Sequence, residues 1–159
     1  MKIDYIVEVR KKIGHMPMFN PVATLIVYKE GKVLLQKRSD NNKWAIHGGG
    51  LEFGETFIEA LNREVKEELN IEPINPALFG IYAGQELFHI YPDGDESYIL
   101  NHVFICEEYR GELKYNDGEV LETKWFDLDD LPNDIHKIDI QIINDIRLFL
   151  DNGKKPIVR

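Results

Sequence analysis

The sequence has a single cysteine, no long apolar run and a deficit of positive charge. One cysteine, Cys106, excludes an internal disulfide and favours a reducing, cytoplasmic setting, and its apolar neighbours predict a buried, inert thiol. Without about 18 consecutive apolar residues, no membrane span is predicted. The first residues also lack the basic-then-apolar order of a signal peptide. The 19 Lys and Arg against 28 Asp and Glu give a net charge of −9, which argues against binding to a nucleic-acid backbone.

The pattern of apolar residues predicts strands mixed with a central and a terminal helix. A length of 159 residues favours one domain spanning residues 1–159. Periodicity and turn residues predict helices over residues 3–13, 57–69 and 139–150, and strands over 22–28, 33–38, 78–83, 97–106 and 121–126. Turns are predicted at 29–32, 92–95 and 116–118, and the glycine run 48–50 is predicted to be a flexible turn. Together these elements favour an α/β sandwich over regular βαβ alternation.

The helix predicted at 57–69 carries its own start and stop signals. Thr56 and Glu59 have the spacing of a capping box, in which each side chain bonds the other residue's backbone. Asn70 follows the last turn, where a left-handed residue is often needed and Asn is the second choice after Gly.

Three glutamates of this helix crowd beside its apolar face. Glu64, Glu67 and Glu68 are three or four residues apart in the half where the helix dipole disfavours anions. Each like-charge pair costs about 0.2–0.5 kcal/mol, and Glu68 borders the core face. No compensating cation is expected in register, since Lys66 points to the far side. A solvated acidic face is one explanation; a bound divalent cation with hard oxygen ligands is the other, and the adjoining glycine run could aim carbonyls at it.

The segment from Gly49 to Ile71 resembles the signature of the Nudix hydrolase family. The matching positions are Gly49, Glu55, Arg63, Glu64, Val65, Glu67, Glu68 and Ile71. Asn70 replaces the usual Gly, and we expect the turn to survive because Asn tolerates the left-handed conformation. His47 stands where many members have Pro. It could contact a phosphate or fill the Pro position, and we favour the second interpretation.

The resemblance implies an α/β/α sandwich with a mixed β-sheet and a small nucleotide substrate. It implies Mg²⁺-dependent hydrolysis, with Mn²⁺ as an alternative, of a phosphoanhydride bond in a nucleoside diphosphate-X such as a nucleoside triphosphate, ADP-ribose or a nucleotide sugar. Arg63 would pair with Glu55. Glu64 would double as the base in some members, and Glu119 would be a further ligand or base, with Glu122 as its competitor. The implied metal ligands are the Gly48 carbonyl, Glu64, Glu67, Glu68 and Glu119.

Two other functions are compatible with the sequence. A nucleotide-sensing module on the same scaffold would bind without turnover, but the loss of signature carboxylates expected of it is not seen. A simple divalent-ion-binding domain would not explain the glycine run beside the helix. Residues 1–19 resemble an N-terminal extension that could pack on its own domain or on a partner in a homodimer. Loops 84–97 and 107–119 are expected to determine specificity for X.

Overall fold

The computed structural model describes residues 4–115 and 118–159. The helices are α1 (Tyr5–Ile13), α2 (Phe57–Leu69), α3 (Ile140–Asn144) and α4 (Ile146–Asp151). The strands are β1 (Met18–Lys29), β2 (Lys32–Arg38), β3 (Trp44–Ala45), β4 (His47–Gly50), β5 (Ile71–Pro73), β6 (Ala77–Tyr82), β7 (Phe88–Ile90), β8 (Glu96–Cys106), β9 (Tyr109–Gly111), β10 (Val120–Asp127) and β11 (Ile157–Val158). None of the helices in these ranges is long and apolar enough to cross a membrane.

Strand β1 is the centre of a mixed sheet with the order β10-β2-β1-β8-β6-β11. One edge of β1 pairs in parallel with β8 from Met18↔Ser97 to Val27↔Cys106. Its other edge is shared, because β2 pairs antiparallel at Val27↔Leu34 and β4 pairs antiparallel at Ala23↔Gly49. A separate two-stranded sheet joins β5 and β9.

The two faces of the sheet are covered by different helices. Side chains alternate along a strand, so Leu25 and Val27 pack against α2, with Leu61, Val65 and Leu69. Val22 and Ile26 face the other way, in a cluster with Ile142, Ile146 and Phe149 of α3 and α4. The predicted α/β/α sandwich with a mixed sheet is therefore confirmed.

The central helix has the bounds that the sequence predicts. It runs from Phe57 to Leu69, both hydrogen bonds of the Thr56–Glu59 capping box are present, and Asn70 is left-handed with φ 59°. The 29–32 hairpin turn and the 92–95 turn are also found. The turn predicted at 116–118 lies largely outside the described residues. Strand β1 begins at Met18, four residues before its predicted start, so it includes the end of the predicted extension.

One predicted helix is found in two parts, and one predicted turn is wrong. The terminal helix over 139–150 is interrupted at Asp145, giving α3 and α4. The Asp145 carboxylate is drawn into the core, where it accepts hydrogen bonds from Tyr82 Oη at 2.9 Å and Arg159 Nε at 2.8 Å. The glycine run 48–50 is a strand, because pairing with β1 holds it extended, and is not a flexible turn.

Helix α1 packs on its own domain. None of the residues Tyr5–Ile13 is fully buried, and the Tyr5 ring packs edge-on against Phe53 at 5.1 Å. Arg10 Nη2 donates to the Glu96 carbonyl at 2.6 Å and to Ser97 Oγ at 3.2 Å. The Tyr5 N–H donates to Glu52 Oε2 at 3.1 Å. Polar bonds to the start of β8 and to the loop after β4 hold this helix.

Candidate active site

The acidic residues of α2 open into a pocket of about 300 Å³. Helix α2 supplies most of the pocket wall, and the segment before β10 supplies Glu119. Asp4, the N-cap residue of α1, closes one side. The lining residues are Asp4, Glu52, Arg63, Glu64, Glu67, Glu68 and Glu119. Carboxylates therefore dominate the pocket, and Arg63 is the cation among its lining residues.

Glu68 is the most buried carboxylate of this pocket, at 6% exposure. The Gly48 N–H donates to its Oε2 at 2.9 Å, and Gln36 Nε2 donates to its Oε1 at 3.1 Å. Burial raises the pKa of Glu68 to about 8, and the charges of Glu64 and Glu119 add to the effect against those two hydrogen bonds. The prediction that Glu68 borders the core face of the helix is confirmed.

Arg63 connects the loop before α2 with the acidic residues of the helix. Its Nε and Nη2 donate to the two carboxylate oxygens of Glu55 at 2.6 and 2.8 Å, and Nη2 also donates to the Gly50 carbonyl at 2.9 Å. The predicted Arg63–Glu55 pair is confirmed. Arg63 Nη1 also donates to Glu64 and lies 3.8 Å from Glu67. The expectation that no cation compensates these glutamates is wrong, because Arg63 bends back along the helix toward both.

Burial raises the pKa of Glu64 despite its contact with Arg63. The space for this carboxylate depends on Gly49, where an added Cβ would lie 2.6 Å from Glu64 Cδ. Gly48 has a different requirement: its φ is 129°, and an added Cβ would lie 2.2 Å from the Ala23 carbonyl oxygen. The two glycines thus allow β4 to approach both α2 and β1 closely.

Except for Asp4, the residues of this pocket lie within a match between residues 18–146 and the family model described as NUDIX domain. The match covers most of the chain and includes every predicted site residue. The chain belongs to the Nudix hydrolase family.

Proteins of known or assigned activity resemble this chain. An ADP-ribose pyrophosphatase of Methanocaldococcus jannaschii is 39% identical over 67% of this chain, and the match spans 61% of that relative's length, less than two thirds. An RNA pyrophosphohydrolase of Pelagibacter ubique is 24% identical over 84% of this chain and 91% of its own. A crystal structure of a MutT NUDIX hydrolase from Burkholderia pseudomallei has a TM-score of 0.69 at 21% identity, covering 81% of this chain and 98% of that one. The last likeness supports the fold.

His47, at the usual proline position of this Nudix chain, is fully buried. Its Nε2 lies 3.0 Å from the Leu34 carbonyl, and burial lowers its pKa to about 4, so the ring is neutral and Nε2 donates. The structure favours the packing interpretation over a phosphate contact. Cys106 is also buried, which raises its pKa to about 12, in agreement with the predicted inert thiol.

Of the two candidates for the extra carboxylate, Glu119 lines the acidic pocket, whereas Glu122 is not among the described residues that line it. Sequence reasoning missed three residues: Gln36, which bonds Glu68, and Asp4 and Glu52, which close the pocket wall. Gln36 lies between Leu35 and Lys37 in a strand, where a polar residue is ordinary, and gave no signal. Asp4 reaches the pocket only because α1 folds back over the domain.

The carboxylate oxygens of the pocket are the kind of ligand that a hard divalent cation such as Mg²⁺ prefers. Carboxylate side chains line one pocket, and the burial of Glu68 beside Glu64 disfavours its ionised form, which a bound divalent cation would favour. Within residues 4–115 and 118–159, no three His, Cys, Asp or Glu side chains are gathered as a ready-made cluster. Protein donors occupy two of the carboxylates, since Arg63 donates to Glu64, and Gln36 and the Gly48 N–H donate to Glu68. The residues therefore fit a divalent cation that would compete with these protein donors.

Proposed function

We propose that the chain is a magnesium-dependent hydrolase that cleaves a phosphoanhydride bond in a small nucleoside diphosphate-X, acting as a single domain over residues 1–159. The observation that carries the proposal is the acidic pocket, in which Glu68 is buried beside Glu64 and Glu119. Two relatives, an ADP-ribose pyrophosphatase and an RNA pyrophosphohydrolase, support a reaction at a phosphoanhydride.

Magnesium, with manganese as the alternative, would be held by Glu64, Glu67, Glu68, Glu119 and the Gly48 carbonyl. When bound, the cation would neutralise phosphate oxygens and lower the pKa of a coordinated water. It would also account for an anionic substrate in a chain whose net charge is −9.

The protein's own groups orient the site and accept a proton. Arg63 fixes the positions of Glu55, the Gly50 carbonyl and Glu64 through one guanidinium group. A carboxylate at the pocket surface takes the proton of the attacking water, and Glu64 and Glu119 are the two candidates for that base. Gln36 and the Gly48 N–H hold Glu68 in place.

The direct test measures the rate of hydrolysis of several candidate substrates with and without magnesium. The panel contains nucleoside triphosphates, dinucleotides, nucleotide sugars and a 5′-triphosphate RNA. Glu68→Gln should lower turnover at least about tenfold while the fold persists, because changes at a metal site typically cost that much. Glu72→Gln, an exposed acid just beyond α2, is the control and should retain wild-type turnover. Wild-type rates in Glu68→Gln would overturn the assignment, and nucleotide binding without any turnover would favour the sensing module.

A further inference from the structure

Helix α1 places a carboxylate from outside the family signature at the acidic pocket. Asp4, the N-cap residue of this helix, lines the pocket together with acids of α2 and of the segment before β10. The next residue, Tyr5, donates its N–H to Glu52 Oε2 at 3.1 Å, and Glu52 lines the same pocket. The acids of the pocket therefore include one from the N-terminal helix.

The helix cap uses only one of the two carboxylate oxygens of Asp4. Its Oδ1 accepts a hydrogen bond from the Val7 N–H at 3.1 Å, which leaves Oδ2 as a further acceptor. Six carboxylates and one guanidinium group line the pocket, so this oxygen adds negative charge where negative charge is already in excess. A divalent cation with oxygen ligands would make the placement of Asp4 favourable.

A polar clamp at the other end of α1 fixes the direction of the helix. Arg10 Nη1 donates to the carbonyls of Gly14 and Met16 at 3.1 and 2.7 Å, and its Nη2 donates to the Glu96 carbonyl and Ser97 Oγ. No residue of α1 is fully buried, so we expect the free energy of docking this helix to be small. A ligand that contacts the docked helix should therefore change its stability measurably.

A series of hydrogen bonds connects the start of α1 with the acids of α2. Glu52, which accepts from Tyr5, donates its own N–H to Glu55 Oε2 at 2.9 Å. Glu55 pairs with Arg63, and Arg63 also donates to Glu64. The start of α1 and the acidic side of α2 thus belong to one hydrogen-bonded unit.

We propose that Asp4 is a further ligand of the divalent cation, bound directly or through a water that the cation retains, so that cation binding fastens α1 to the domain. The proposal rests on the proposed function, because Asp4 would ligate the cation held in the acidic pocket. It extends the ligand set beyond the signature and gives the N-terminal helix a role in metal affinity. Linkage requires that docked α1 tightens metal binding by the same factor by which metal stabilises docking.

Binding of Mn²⁺ alone, followed by the electron paramagnetic resonance signal of the free ion, tests the ligand. Asp4→Asn keeps the helix cap, since Asn caps as well as Asp, but removes the charge. We expect it to raise the Kd for Mn²⁺ about tenfold. Glu8→Gln removes the same charge from α1 at a side chain that pairs with Lys11 and is not among the described residues lining the pocket. This control should change the Kd by less than about twofold.

A second variant acts on the helix at its other end. Arg10→Gln breaks the polar clamp, so the fraction of molecules with docked α1 should fall and the apparent Kd for Mn²⁺ should rise at least about threefold. Loss of a positive charge would by itself tighten the binding of a cation, so the expected direction is opposite to the simple charge effect. Lys11→Gln removes a positive charge from the next residue, whose side chain is 63% exposed, and should not weaken Mn²⁺ binding.

Hydrogen exchange of the α1 amides measures the docking of the helix without any turnover. Saturating Mn²⁺ should slow exchange over residues 5–13 about tenfold in the wild-type protein, the same factor as the loss of metal affinity in Asp4→Asn. In Asp4→Asn itself, Mn²⁺ should slow this exchange by less than about twofold.

The outcomes separate this inference from the proposed function. Wild-type Mn²⁺ affinity in Asp4→Asn, or α1 exchange that does not respond to Mn²⁺ in the wild-type protein, overturns the role of Asp4 even if the protein hydrolyses nucleotides. Tighter Mn²⁺ binding in Arg10→Gln also overturns it. The expected losses in both variants, in a protein that turns over no substrate, would support the ligand and refute the hydrolase. A wild-type protein that binds no Mn²⁺ overturns both.

Discussion

A methyl group added at residue 49 would occupy the space that the Glu64 carboxylate fills. The Cβ of Gly49→Ala would lie 2.6 Å from Glu64 Cδ and 2.7 and 2.9 Å from its two oxygens. The φ of Gly49 is not in the left-handed region, so the backbone tolerates alanine. The carboxylate lies at the end of a flexible side chain and can rotate away, and we expect the free energy of unfolding to fall by only about 1 kcal/mol.

Turnover should fall much further than stability in this variant. Displacing a proposed metal ligand by an ångström or more should lower magnesium-dependent turnover at least about tenfold and raise the magnesium concentration needed for half-maximal rate. Urea unfolding and a magnesium titration of the rate measure the two effects separately.

Two neighbouring glycines provide the controls for this comparison. Gly54→Ala adds a methyl group in open space at φ 84°, so it should cost about 1 kcal/mol of backbone strain and keep its activity. Gly48→Ala would collide with the Ala23 backbone at 2.2 Å and should lose at least about 3 kcal/mol. Wild-type turnover and magnesium dependence in Gly49→Ala would refute the role given to Glu64.

Two further predictions concern buried carboxylates away from the pocket. Burial raises the pKa of Asp139 to about 7. The folded state therefore keeps a proton that the unfolded state loses above about pH 4. Because of this difference, the free energy of unfolding falls as pH rises from 4 to 7. In Asp139→Asn the side-chain oxygen can still accept from the Ile46 N–H. This variant should become more stable than wild type by up to about 4 kcal/mol as pH rises from 4 to 8. A stability difference in urea unfolding that stays constant across this pH range would contradict the prediction. Tyr82→Phe removes the donor at 2.9 Å from Asp145 and should cost about 1.5 kcal/mol in urea unfolding, whereas Tyr115→Phe, at an exposed ring, should cost almost nothing.

Local signals predicted the parts of the fold that local interactions determine. Thr56, Glu59 and Asn70 fixed the bounds of α2 because capping bonds join residues a few positions apart. Asp145 gave no such signal: a single acid in an apolar helical pattern is ordinary, and only the contacts with Arg159 and Tyr82 reveal that its carboxylate is buried. The glycine run had no side-chain alternation from which a strand could be predicted.

Some residues of the candidate site could likewise be predicted from the sequence, and others could not. The spacing of Glu64 and Glu68 along one helix could be read directly, and the Arg63–Glu55 pair followed from the resemblance. Gln36 could not be found, because it acts through a contact with a residue 32 positions away in the sequence. A buried polar residue in a strand becomes informative only when its neighbours across the sheet are known.

The shared edge of β1 also has a consequence for how the chain folds. Residues 22–29 can pair with β2 and β4 as soon as residue 50 has been synthesised, but the opposite edge pairs with residues 97–106. Until then β1 presents an open edge, which invites association with other chains. Contacts of such long range close slowly, so we expect the strand that supports the glycines of the pocket to be completed late, both on the ribosome and in refolding.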